Sequence, residues 1–118
     1  MVNPTLFVSA AISSAVHAVA ILWTQPPLPY AIFLAAGCAT GVWNHGTTSE
    51  LAKWSDRTMM WIGFPLTLFI APTPALQALT LCIVPAYGAA KRFRCTSAHV
   101  AAHILITFIH LQILAYPR

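Results

Sequence analysis

Residues 5–23, TLFVSAAISSAVHAVAILW, carry no formal charge and run directly into the breaker QPPLP at 25–29. As a helix rising about 1.5 Å per residue, such a run reaches about 28 Å, close to the ~30 Å hydrocarbon core of a bilayer. Working outward, the same pattern repeats four times. A second run, 30–45, gives way to the polar GTTSE at 46–50. A third, 53–71, stops at PTP (72–74), and a fourth, 75–90, ends at KRFR (91–94). The fifth, 97–116, is followed by Pro117 and Arg118. Prolines are poor in helix interiors and good at exits, so these breakers separate helices. TTSE at 47–50 has the form of a capping box, and Pro65 and Pro85 predict kinks in the third and fourth helices.

The sequence therefore predicts an all-α, polytopic transmembrane bundle of about five helices, with residues 1–118 as a single transmembrane domain. Composition agrees. Of 118 residues, 58% are apolar and 7% charged, against about 25% charged in a soluble domain. Mean hydropathy is +0.74. Too little polar surface exists for a soluble enzyme, and a nucleic-acid partner is excluded because the basic residues flank apolar runs, where they set topology. Residues 1–4 lack a basic leader region, and the 5–23 run is long enough to span rather than be cleaved. Three cysteines without CxxC spacing point to neither a disulfide framework nor a zinc knuckle.

Counting crossings places the N-terminus and the loops near Lys53 and Lys91 on one face, and both proline-rich turns on the other. Lys53, Arg57, Lys91, Arg92 and Arg94 fall on the first face and only Arg118 on the second. That asymmetry predicts a cytoplasmic, or organellar equivalent, first face. Lys91, Arg92 and Arg94 would there attract anionic headgroups.

Ionisable groups within apolar helices are expensive and so are candidates for function. His45 and Asp56 flank the second loop at similar depth. His99 and His103 open the fifth helix from the same face, spaced i and i+4 so that both imidazoles share a side. With His45 they would form a three-imidazole site with an open position, the pattern of catalytic zinc, and Asp56 would orient or deprotonate a bound water. The plain alternative is that each histidine hydrogen-bonds a carbonyl across a helix contact, and that Asp56 pairs with Arg57 or Lys53. His17 and His110 lie deeper. They would meet as a polar pair or ligate a haem or chlorophyll.

TGVWNH at 40–45, Asp56 eleven residues after His45, and HVAAH at 99–103 together resemble the CREST membrane hydrolase superfamily. That group includes alkaline ceramidases, progestin and adipoQ receptors, haemolysin III relatives and Per1-like proteins. The resemblance implies zinc held by His45, His99 and His103, with Asp56 beside the bound water. Gly41 stands where the family motif has serine, with Thr40 one place before it, and five helices stand against the family's seven. The even deficit leaves the final helix entering from the same face. The expected function is a membrane-embedded, zinc-dependent hydrolase of a lipid amide or ester, with the bilayer and a lipid as partners. Two readings stand beside it. One is a small accessory subunit of a respiratory or photosynthetic complex, its histidines in helix contacts or on a haem or chlorophyll. The other is a receptor or regulatory module using the same zinc site structurally.

Overall fold

The structure is a computed structural model describing residues 1–117; Arg118, which the charge count set on the opposite face, lies outside the described residues. It contains five α-helices: α1 (Pro4–Thr24), α2 (Leu28–Gly46), α3 (Glu50–Ile70), α4 (Pro74–Arg92) and α5 (Thr96–Ala115). No strand occurs among the described residues.

All five helices begin one to three residues before the expected positions, for local reasons. The Asn3 side chain accepts from the Thr5 and Leu6 amides at 3.1 and 3.2 Å, and Pro4 occupies the first turn. Proline is suited to that turn because its missing N–H has no helical partner there anyway. The same logic starts α2 before Pro29 and α4 at Pro74, where Thr73 Oγ1 accepts from the Leu76 amide at 3.2 Å. The expected capping box at 47–50 does not form. Instead Ser49 caps α3, its hydroxyl accepting from Ala52 N at 3.3 Å, and Glu50 enters the helix to pair with Lys53 at 2.8 Å. Pro65 and Pro85 lie inside α3 and α4. Each leaves one carbonyl a turn earlier without its helical donor.

The helices pack in a ring, α1 to α5 in order and α5 back onto α1, and the α3–α4 seam is the most sparsely packed. Four antiparallel steps, an even number, make α1 and α5 parallel. Their pairings show it: Ser9 to His103 at 2.8 Å, Ser13 to Thr107 at 2.6 Å and His17 to His110 at 2.9 Å, at sequence separations of 94, 94 and 93. Asn3 adds a bond to Thr96 Oγ1 at 3.2 Å at the start of both helices. A polar ladder thus joins α1 and α5, the two helices that are long and apolar enough to cross a membrane.

The interior mixes apolar side chains such as Leu34, Ile83 and Ile109 with small and polar ones, and many large apolar residues lie outside. Inside lie Ala10, Ala52, Ala102, Thr67 and Thr80 with His17, His103 and His110, while Ile12, Val19, Leu22, Trp61, Phe69 and Ile104 are each at least 60% exposed. Small residues let backbones approach closely and hydroxyls bond across helices, the pattern of packing where apolar burial supplies little driving force.

The innermost rung of the ladder fixes its own tautomers. His17 Nδ1 lies 2.7 Å from the Ser13 carbonyl and must donate to it. With neutral rings, His17 Nε2 then accepts from His110 Nδ1, and His110 Nε2 accepts from the Thr67 hydroxyl at 3.3 Å. His17→Ala and His110→Ala are each expected to destabilise the fold by about 1–3 kcal/mol, because either leaves a buried partner unsatisfied. The double variant should lose less than the sum. A double-mutant cycle on unfolding in detergent measures this, and strict additivity would show that the bond does not couple the helices.

Candidate metal centre

His45 sits in the last turn of α2, and His99 and His103 in the first two turns of α5. The ring closes so that these ends meet. Ring centroids are 5.0 Å apart for His45–His99, 5.1 Å for His45–His103 and 4.8 Å for His99–His103. One ligand nitrogen from each falls within 4.8 Å of the others, and this is the one such group of His, Cys, Asp or Glu among the described residues. A tetrahedral ion with bonds of about 2.0–2.1 Å sets its ligands about 3.3 Å apart, closer than the 4.8 Å within which these nitrogens lie. Imidazole suits zinc, as it does copper, iron and nickel. The three histidines could therefore hold a metal ion, with a donor set that zinc accepts.

The surrounding groups favour the same use. Ser9 Oγ lies 2.8 Å from His103 Nδ1. Accepting from Nδ1–H, it would leave Nε2 free for an ion, which is the usual way a ligand imidazole is oriented. Tyr87 of α4 packs edge-on against His99 at 5.1 Å. Asp56, nearly two turns into α3, is half-buried and accepts from Asn44 Nδ2 at 2.8 Å. It forms no ion pair with Arg57 or Lys53; the described ion pair is Lys53–Glu50. A Cβ built on Gly41 would stand 3.6 Å from Asp56 Oδ1, so position 41 faces the carboxylate directly. A serine there would donate to Asp56. Asn44, on the same helix, makes that donation in this chain.

A cavity of about 760 Å³ descends from this centre through the ring. His45, His103, Asp56 and Tyr87 line its upper part, Phe33, Leu34, Met60 and Phe64 its walls, and His17 and His110 its lower end. His110 is seven residues beyond His103, or about 10 Å along the helix, too far to share an ion. The His17–His110 pair is closed by a direct 2.9 Å bond, so a tetrapyrrole iron or magnesium would require one ring to turn away. Cys38, Cys82 and Cys95 are free thiols and belong to no ligand group among the described residues.

Sequence reasoning missed Ser9, Asn44 and Tyr87. Ser9, Ser13 and His17 recur every four residues, a polar stripe visible on inspection. Asn44 and Tyr87 carried no signal, because only the packing of α2 on α3 and of α4 on α5 gives them their partners. No protein-family model, curated protein or solved structure matches this chain.

Proposed function

We propose that this chain is a polytopic membrane protein and a zinc-dependent hydrolase of a lipid amide or ester, similar in site chemistry to the CREST superfamily. The observation that carries the reading is the convergence of His45, His99 and His103 beside Asp56 at the head of an apolar cavity. Three imidazoles leave an open coordination position, which structural sites do not. The many exposed large apolar residues, with histidines and threonines buried inside, support the membrane setting. A cavity of this size falls within the usual range of about 300–1,000 Å³ for small-molecule sites.

In this reading His45, His99 and His103 hold the ion, and Ser9 keeps the His103 ring turned toward it. Zinc bound there supplies a Lewis acid that lowers the pKa of water toward about 7 and polarises a carbonyl. Asp56 takes the proton of the attacking water and returns it to the leaving amine or alcohol. Asn44 fixes the carboxylate that does so. The sparsely packed α3–α4 seam, where the exposed Trp61 and Val84 line the cavity, gives a lipid lateral access. Zinc assay on the purified protein, with release of fatty acid from lipid amides and esters before and after chelation, tests the reading. Bound haem or chlorophyll absorbance in place of zinc would favour the accessory-subunit alternative.

The topology is tested separately. In single-cysteine variants, Lys53→Cys and the native Cys95 should react with an impermeant reagent from one face, the cytoplasmic one or its equivalent. Pro27→Cys and Pro72→Cys should react from the other. Labelling of Lys53→Cys and Cys95 from opposite faces would break the five-span arrangement.

A further inference from the structure

We propose that the ligand of this cavity is an anionic single-chain amphiphile, its phosphate or carboxylate head held by Arg57 and Lys91 at the mouth beside the three imidazoles. The inference rests on the cavity's taking an amphiphile, as the proposed function has it, and is independent of whether that amphiphile is hydrolysed.

Arg57 from α3 and Lys91 from α4 both line the cavity, on the two sides of its loosest seam. Neither is in an ion pair, since the described ion pair is Lys53–Glu50. The Arg57 guanidinium lies 5.0 Å from the centroid of Trp54, another lining residue, so its stem and plane are held while its donors stay free. Arg57, Lys91 and Asp56 line the same cavity. Asp56 is the single carboxylate on this wall and already accepts from Asn44. Two cations against one carboxylate leave the mouth positive, and no fixed anion of the described residues closes it.

Topology alone does not account for this. Positive-inside placement accounts for exposed cations such as Lys91, Arg92 and Arg94, but of these three only Lys91 lines the cavity. Arg57 is half-buried and does line it. A planar guanidinium fork with a neighbouring ammonium matches phosphate or carboxylate oxygens. Below the mouth the wall is apolar, with Phe33, Leu34, Phe64 and Ile106 leading down to His110. The arrangement fits an anionic head above and an alkyl chain beneath, with the carbonyl region level with His45 and His103.

The test is calorimetric titration of the full chain in a neutral maltoside detergent with decyl phosphate, decanol, decyltrimethylammonium and inorganic phosphate. Decyl phosphate should bind at least tenfold tighter than each of the other three. Arg57→Gln and Lys91→Gln should each lose most of that preference, Lys91→Arg should restore it, and Arg92→Gln with Arg94→Gln should leave it intact. Circular dichroism establishes that each variant is folded, and Lys91→Gln carries the test should Arg57→Gln not fold. Equal binding of decanol, equal loss in the Arg92/Arg94 variant, or inorganic phosphate as tight as decyl phosphate would each overturn the proposal. The last result would indicate a site for a free anion. His99→Ala separates the two readings, because a preference retained there owes nothing to the metal. A protein that holds zinc and hydrolyses lipid without the preference defeats this proposal alone. One that shows the preference without holding zinc defeats the hydrolase reading alone.

Discussion

His99→Ala, His103→Ala and His45→Ala should each take the purified protein from about one zinc per chain to a trace, since two imidazoles are too few to hold the ion against buffer and detergent washing. Elemental analysis measures it. The effect on His45→Ala is the most telling, because α2 and α5 are joined at this point only by the packing of the ring. Ser9→Ala should weaken zinc by about 10–100-fold without abolishing it, as expected of a group that orients a ligand through its second nitrogen. His17→Ala and His110→Ala should keep full zinc, since the pair is bonded to itself about 10 Å further along α5. Zinc retained equally in all five histidine variants, or absent from the wild type, would sink the hydrolase reading and leave the accessory-subunit reading as the better account.

Asp56→Asn should keep zinc and lose lipid hydrolysis by about 10²–10⁴-fold, the usual weight of a positioned proton acceptor. The amide preserves size and hydrogen bonding but takes no proton. A purely structural role would instead show as lost zinc or lost stability with turnover per bound zinc unchanged. Asn44→Ala, which removes the donor at 2.8 Å from the carboxylate, should show a smaller loss of the same kind. Gly41→Ser offers a converse test. Its Cβ would meet Asp56 Oδ1 at 3.6 Å, an ordinary contact, so the variant should fold, hold zinc and partly rescue Asn44→Ala. Failure of that rescue, with folding and zinc intact, would show that position 41 does not serve the carboxylate.

The helix order was legible from the sequence because proline, charge and apolar run length act locally. QPPLP at 25–29, PTP at 72–74 and KRFR at 91–94 each mark a boundary that the structure keeps within a few residues. Where the boundaries moved, capping decided them: Ser49 rather than Thr47 starts α3, and Pro29 and Pro74 lie inside first turns. The meeting of His45 with His99 and His103 was also legible, because counting antiparallel helices assigns each residue a depth and a face. Depth and face do not assign neighbours around a ring. The sequence offered a His17–His110 pair as one of two alternatives; the pairing of α1 with α5 that realises it, with the bonds Ser9–His103 and Ser13–Thr107, follows from ring closure.

The same division holds at the cavity mouth. From the sequence, Lys91, Arg92 and Arg94 form one basic cluster and Arg57 belongs to another helix. In the folded chain Lys91 and Arg57 line one cavity and Arg92 and Arg94 do not. Successive residues on a helix are about 100° apart, so neighbours in sequence face different directions and partners come from other helices. By itself, then, the sequence determined five helices, their order, the face on which the charges gather and the depth of each histidine, because these depend on spacing along the chain. Tertiary structure decided that Asn44 holds Asp56, and that of the two alternatives for His17 and His110 it is the direct bond that forms. It also decided that Arg57 and Lys91 share the cavity mouth, because each of these depends on how the helices turn about their axes when the ring closes.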